Sequence, residues 1–190
     1  MTDPIGEFWT WWAAGAREQA AEAFASGDLA AVEVVGDGLS DRIAAIDQDL
    51  SFATGPGERA PWLLTVSAEE EPDLLREVAD AWLAAAQGSD PLFEYDAWRR
   101  PLPDAHTTVI AIGDRRIDAT RSMVLVEGSD LTLWHPEFAG LPDRSQGQAT
   151  LMLLDAVLGE RLMETRVGGI GWTEALPDGA VPLTAVPGRF

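Results

Sequence analysis

Apolar side chains recur every three or four residues in four stretches of the chain, which is the spacing of amphipathic helices. The four predicted helices cover these ranges: 6–26, 28–46, 72–86 and 146–162. Asp28 is a suitable N-cap for the second helix, and Ser145-x-x-Gln148 is a capping-box pattern that opens the fourth. Residues 69–71, all glutamate, precede the third helix and suit the positive end of its dipole.

Alternation of apolar and polar residues predicts strands between these helices. A hairpin is expected over 49–67, with its turn in "TGPGE" at 54–58. The further strands are expected over these ranges: 92–98, 107–112, 122–127, 130–135 and 164–172. Because the strands come in adjacent pairs and groups instead of strict βαβ alternation, the pattern predicts the α+β class.

These elements predict one domain over residues 1–190, built on a mostly antiparallel sheet of about five to seven strands with helices packed on one face. Its expected parts are a helical N-terminal segment (1–47), an α+β core (48–176) and an irregular tail (177–190). The central order strand–helix–strands–helix–strand is compatible with a ferredoxin-like core that carries an N-terminal helical extension.

Composition excludes several chemistries. The 190 residues include no cysteine and no lysine, so disulfides, thiolate nucleophiles and Schiff-base lysines are excluded. His106 and His135 are the only histidines, too few for a histidine-rich metal site, and no G-x-S-x-G motif is present. We therefore expect neither a metal nor a cofactor.

The formal net charge of −19 at pH 7 bears on the partners of the chain. Such a charge repels nucleic-acid phosphates and anionic membranes and attracts basic proteins and cations, although it also serves solubility alone. No stretch has the roughly 20 apolar residues that cross a bilayer, and the first residues lack the basic start of a signal peptide. We expect a cytoplasmic protein that binds neither nucleic acid nor membranes; its oligomeric state stays open.

The stretch "EFWTWW", residues 7–12, places four large aromatic side chains close together. On a helix, Phe8, Trp9 and Trp12 share a face, whereas Trp11 points further round. We interpret this face as the surface that packs the first helix against the core. The alternative is a partly exposed docking face, on which Trp11 is the most exposed residue.

A second candidate site is centred on Asp155, the only polar residue within 151–158. A carboxylate surrounded by apolar side chains has a raised pKa unless an arginine pairs with it. Arg99 and Arg100, at an expected strand end, are candidate partners, for internal pairing or for clamping a carboxylate or phosphate. Three interpretations of Asp155 stay open: the solvent side of a largely buried helix, a structural ion pair, and a catalytic carboxylate.

Four short motifs are spread over nearly the whole chain: an aromatic N-terminal helix (Phe8, Trp9, Trp12), "LTVS" (64–67), an aromatic–basic–proline strand end (Trp98, Arg100, Pro101) and "LD..LGE" (154–160). Together they resemble those of a family of bacterial cytosolic α+β proteins to which no activity is assigned. The resemblance supplies no catalytic residues, but it draws attention to Asp155 and Glu160 as a unit.

Two functional hypotheses follow. The first is an acidic, non-enzymatic binding or regulatory domain, for example an antagonist of a basic protein. The second is a small-molecule binder or enzyme that uses Asp155, Glu160 and either Arg99 or Arg100. The charge, the missing nucleophiles and the aromatic helix favour the first.

Overall fold

Five α-helices and nine strands occur in the part of the chain that the computed structural model describes, which is residues 3–68, 72–86 and 90–190, with backbone alone for 72–74. The α+β class is confirmed. Residues 69–71, expected to stabilise a helix dipole, lie outside the described residues. The chain divides into two compact units, unit 1 (Met1–Arg99) and unit 2 (Arg100–Phe190), and its assignment to one domain stays a prediction.

Unit 1 combines four helices with a three-stranded sheet. Its elements are α1 (Pro4–Trp11), α2 (Arg17–Ser26), α3 (Leu29–Ala44), β1 (Ser51–Pro56), β2 (Trp62–Ser67), α4 (Pro72–Ala84) and β3 (Phe93–Asp96). The sheet order is β1-β2-β3, with an antiparallel hairpin and then a parallel pair that α4 connects. As predicted, Asp28 caps α3, since its side chain accepts hydrogen bonds from the N–H groups of Ala30 and Ala31.

Unit 2 combines one long helix with two sheets. Its elements are β4 (Val109–Ile112), β5 (Arg115–Asp118), β6 (Met123–Glu127), β7 (Asp130–Trp134), α5 (Asp143–Arg166), β8 (Ile170–Thr173) and β9 (Val181–Pro182). One sheet is the hairpin β4-β5, and the other has the order β8-β7-β6-β9. The buried side chains of the larger sheet and of α5 form the core of this unit.

The strands differ from the predicted single sheet, because they divide among three sheets of three, two and four strands. A ferredoxin-like core is not confirmed. Sequence patterning missed β5 because three of its four residues, Arg115, Arg116 and Asp118, are charged; only Ile117 is buried. In place of an irregular tail, residues 177–190 contain β9 and bury Leu183.

Helix α5 also begins and ends differently from the prediction. It starts at Asp143 after Pro142, so Ser145 lies inside the first turn and is no N-cap. The predicted capping box is therefore wrong. Near its C-terminal end α5 is broken at Gly159, whose φ of 71° and ψ of 163° are far from helical values and suit a residue without a side chain.

Candidate functional site

The aromatic cluster of α1 lies in the core of unit 1. Phe8 and Trp12 are 0% and 2% exposed, whereas Trp9 and Trp11 are half-buried. The ring of Phe8 lies 5.2 to 6.1 Å, centroid to centroid, from four indole rings, those of Trp9, Trp11, Trp12 and Trp82. Phe8 and Trp12 are thus core residues, and a docking role of the half-buried pair stays a prediction.

The two half-buried tryptophans have different neighbours. Trp9 stacks on Trp82 at 5.0 Å, and its indole N–H donates a hydrogen bond of 3.0 Å to the carbonyl of Trp82. Trp11 packs close to α3, where a Cβ atom on Gly38 would lie 3.3 Å from Trp11 Cζ2. The guanidinium of Arg42 lies 5.6 Å from the centre of the Trp11 ring, within cation–π distance.

A π-helical turn joins α1 to α2 and sets the direction of two side chains. Residues Trp12–Ala16 form this turn, and the N–H of Arg17 bonds to the carbonyl of Trp12, five residues earlier. In a regular α-helix, residues five apart point about 140° away from each other. The wider turn brings Trp12 and Arg17 to the same side, and Gly15 makes it possible by adopting a φ of 124°.

Trp12 and Arg17 meet Tyr95 and Asp90 in a hydrogen-bonded chain. The indole N–H of Trp12 donates to the hydroxyl of Tyr95 at 2.8 Å, and this hydroxyl donates to Asp90 Oδ2 at 2.5 Å. Arg17 Nη1 donates to the same carboxylate oxygen at 3.3 Å. Asp90 Oδ1 accepts from the backbone N–H groups of Leu92 and Phe93, so both carboxylate oxygens are engaged.

This environment fixes the protonation of the pair at neutral pH. Burial raises the pKa of the Tyr95 hydroxyl, and its hydrogen bond to Asp90 raises it further, so Tyr95 stays a donor. Burial alone would raise the pKa of Asp90. The hydrogen bonds from Tyr95, Leu92 and Phe93 and the charge of Arg17 outweigh that effect and hold the pKa of Asp90 below its usual value. Asp90 is therefore an ionised, largely enclosed carboxylate.

A cavity of about 820 Å³ opens beside this chain of hydrogen bonds. Its wall includes two tryptophans, the ionic pair and the tyrosine: Trp9, Trp12, Arg17, Asp90 and Tyr95. Small residues, among them those of the range 84–86, leave the space open, and Asp3 adds a carboxylate. The cavity is partly open to solvent, and its size is within the range of small-molecule sites.

A second cavity of about 510 Å³ in unit 1 lies next to Glu94, which is buried. Glu94 Oε1 accepts hydrogen bonds from the backbone N–H groups of Arg59 and Ala60, in the segment between β1 and β2. The buried carboxylate thus holds the connection of the hairpin. We assign Glu94 this structural role.

The four predicted polar residues are placed in different parts of the chain. Arg99 ends unit 1, whereas Arg100, Asp155 and Glu160 belong to unit 2. Asp155 is half-buried in α5, and Glu160, 3% exposed, directly follows the break at Gly159. All four take part in interactions, so none is a free charged group. Their role as one polar site stays a prediction.

The apolar neighbours of Asp155 on α5 enclose it on one side only, since Leu158 is buried. Leu151 and Met152, one turn earlier, are 49% and 47% exposed. The sequence pattern suggested an apolar ring around Asp155, but this side of α5 is open to solvent. The three interpretations of Asp155 all stay open, because Asp155 also takes part in an interaction.

The negative charge is distributed unevenly between the two units. Unit 1 contains 20 Asp and Glu against five Arg, and unit 2 contains 12 against eight, which gives formal net charges of −15 and −4. Part of this charge lies on the outward side of α3, where Glu33, Asp37 and Asp41 follow at intervals of four residues and are exposed. Leu29 and Val34, 83% and 72% exposed, lie on the same side. We call these five residues the α3 outer face.

In unit 2, His135 is fully buried at a polar centre. The backbone N–H of Asp118 lies 3.3 Å from its Nε2 atom and the N–H of Glu137 lies 3.1 Å from its Nδ1 atom, so a neutral ring accepts from one of the two. A neutral ring offers one acceptor nitrogen and a protonated ring offers none. Burial lowers the pKa of His135, and the carboxylate of Asp118, 3.6 Å away, only partly opposes this effect.

We predict that His135 makes stability depend on pH below about 6.5. The pKa of His135 is lower in the folded than in the unfolded protein, so the unfolded chain takes up its proton first as the pH falls. The contribution of His135 is complete above about pH 6.5 and is lost below it, by at most about 1.4 kcal/mol per pH unit. Urea unfolding of wild type between pH 7.5 and 5.5 measures this slope.

The matched pair of variants for this experiment is His135→Gln and His106→Gln, since His106 is exposed. His135→Gln is expected to flatten the dependence on pH, and His106→Gln to keep it. Because the comparison uses the slope of the free energy of unfolding against pH, a constant loss of stability from replacing a buried side chain does not affect it. The same slope in all three proteins would contradict the assignment.

Sequence reasoning missed Arg17, Asp90 and Tyr95, which line the larger cavity. One signal was available: Tyr95 is the only tyrosine in a chain with eight tryptophans. Nothing in the sequence connects it to Arg17, because the two residues belong to separate elements of unit 1. The π-helical turn that directs Arg17 toward Tyr95 has no sequence signature beyond Gly15.

No protein-family model, no curated protein and no solved structure matches the chain. The resemblance to a bacterial family therefore stays a prediction. Within the described ranges, no helix is long and apolar enough to cross a membrane. The same residues contain no group of three or more His, Asp or Glu side chains that could hold a metal ion.

Proposed function

We propose that the protein is a non-enzymatic, acidic binding domain that regulates a basic protein by binding to it. The observation that carries this proposal is the concentration of charge, −15 in unit 1 against −4 in unit 2. A charge of this density accelerates association with a basic partner and disfavours acidic ones. The cytoplasm as the place of action belongs to the same proposal.

The α3 outer face is the surface that we assign to this partner. Its carboxylates, Glu33, Asp37 and Asp41, form no ion pair with an arginine of the described residues. The exposed side chains of Leu29 and Val34 add apolar area at the edge of the acidic row. Carboxylates supply attraction and apolar side chains supply contact area, the combination that suits a basic, amphipathic segment of a partner protein.

The alternative function is small-molecule binding or catalysis at Asp155, Glu160 and Arg99 or Arg100. The interactions that each of these residues already makes weaken this alternative, as does the open side of α5. A small molecule finds better support at the larger cavity of unit 1, which Asp90 and Tyr95 line.

The proposal is tested by comparing wild type with two variants of equal charge. The first variant neutralises the α3 outer face by Glu33→Gln, Asp37→Asn and Asp41→Asn. The control neutralises three exposed carboxylates of unit 2 by Asp114→Asn, Glu127→Gln and Asp178→Asn. Each tagged protein is incubated with lysate of the source organism at low and at moderate salt, and retained proteins are identified and quantified by mass spectrometry.

We expect a basic protein that wild type and the control retain and that the α3 variant retains about tenfold less. Moderate salt should weaken retention, because exposed charges are screened beyond about 10 Å at 0.1 M salt. Equal retention by all three proteins would reject the α3 outer face, and the absence of any retained basic protein would reject the proposed function.

A further inference from the structure

We propose that the larger cavity of unit 1 binds a small organic cation, with an ammonium or guanidinium group attached to a flat, apolar body. This site is separate from the α3 outer face, since the two surfaces share no residue. The inference adds a small-molecule ligand to the proposed protein partner. It rests on the charge, the walls and the size of the cavity.

The charge of the cavity wall selects a cation. Asp90 and Asp3 contribute two carboxylates, and Arg17 contributes one positive charge. Arg17 also forms an ion pair with Glu18, in which Nη2 lies 2.6 Å from Oε1. The wall therefore has a net negative charge within a unit of charge −15. An anionic ligand would face repulsion from both, whereas a cation is attracted by both.

Arg17 already shows how a cation is held at Asp90. Its guanidinium donates to Asp90 Oδ2 at 3.3 Å, a long hydrogen bond, while Nη2 contacts Glu18 at the shorter distance of 2.6 Å. The side chain is 29% exposed, and the proposal requires that Arg17 leave Asp90 while it keeps its contact with Glu18. A ligand cation would take the place of Arg17 beside Asp90 and Tyr95.

The remaining walls suit a flat, apolar body. Trp9 and Trp12 present indole rings, which attract both apolar groups and cations. Three alanines, residues 84–86, add small apolar side chains to the same cavity. The volume of about 820 Å³ falls within the usual range of small-molecule sites.

The test uses three ligands that share a phenyl ring and differ in charge: 2-phenylethylamine, 2-phenylethanol and phenylacetate. Isothermal titration calorimetry measures each against the full-length protein at neutral pH. We expect saturable binding of the amine, at least about tenfold tighter than the alcohol, and no binding of phenylacetate. Phenylacetate bound as tightly as the amine, or no saturable binding of the amine, would overturn the proposal.

Two variants change amine binding in opposite directions. Asp90→Asn removes the carboxylate and should weaken binding by about tenfold or more. Arg17→Gln removes the competing guanidinium and should strengthen binding several-fold, a gain that a misfolded protein would not show. Asp80→Asn, an exposed residue of α4, is the charge-matched control. Weaker amine binding by Arg17→Gln would contradict the proposed position of the cation.

The two proposals fail separately. The triple variant of the α3 outer face should bind the amine as wild type does, and Asp90→Asn should still retain the basic protein. Loss of both activities in either variant would contradict the assignment of two separate sites.

Discussion

Replacing Phe8 with alanine is expected to lower the free energy of unfolding by about 3–5 kcal/mol. Phe8 is 0% exposed and its ring lies within 6.1 Å of four indole rings, so the substitution leaves a cavity at the centre of the aromatic cluster. These rings belong to α1, the π-helical turn and α4, which limits how far the site can collapse around the lost side chain. Urea unfolding followed by circular dichroism and by tryptophan fluorescence measures the change.

The matched control is Leu29→Ala, at an apolar residue that is 83% exposed. This substitution also shortens a large apolar side chain to alanine, but at a position exposed to solvent. It should change the free energy of unfolding by no more than about 0.5 kcal/mol. A loss below about 1 kcal/mol for Phe8→Ala would show that the aromatic cluster is not the core of unit 1.

Replacing Gly15 with alanine is expected to lower the free energy of unfolding by about 1–3 kcal/mol. The φ of Gly15 is 124°, a conformation that residues with a Cβ atom rarely adopt. Apart from the adjacent residues and helix backbone, no described atom lies within 4 Å of the position that the new Cβ would take, so we expect backbone strain to dominate the effect. The same variant should also strengthen amine binding, as Arg17→Gln does, because the π-helical turn directs the competing guanidinium of Arg17 toward Asp90.

The control for this prediction is Gly36→Ala, the same substitution inside α3. Gly36 has no neighbour within 4 Å of a Cβ atom, and its φ is not positive. Alanine should therefore raise the free energy of unfolding by about 0.5–1 kcal/mol. Opposite signs for the two variants support the π-helical turn, whereas stabilisation by both would contradict it.

The features of the fold that the sequence predicts correctly depend on residues close together in the chain. Asp28 as the cap of α3 and the apolar stripe of α4 depend on residues a few positions apart, and both are found in the structure. The hairpin of β1 and β2 is also local. Long-range pairing is different: the division of the strands among three sheets depends on contacts that no periodicity records.

The candidate site was harder to predict, for two physical reasons. One is the close approach of Trp11 to Gly38, a contact between two helices that helical periodicity does not record. Asp90, Tyr95 and Arg17 meet only because the chain makes a π-helical turn and then returns through β3. Asp155, which the sequence singled out, is half-buried beside exposed apolar residues.

The total charge can be counted from the sequence, but its distribution requires the boundary between the units. That boundary falls between Arg99 and Arg100, inside the stretch "AWRRPLP", which has none of the length or composition of a linker. Once the boundary is known, unit 1 becomes the acidic part of the chain. The functional account depends on this asymmetry more than on the total of −19.

The most direct test of the account is carboxylate footprinting of the complex with a retained basic protein. Exposed Asp and Glu side chains are coupled to a neutral amine in the free protein and in the complex, and the modified residues are quantified by mass spectrometry. We predict that Glu33, Asp37 and Asp41 lose reactivity on binding, whereas Asp114, Glu127 and Asp178 of unit 2 keep theirs. Protection of the unit 2 carboxylates with unchanged reactivity on α3 would contradict the central claim that unit 1 binds the partner through the α3 outer face.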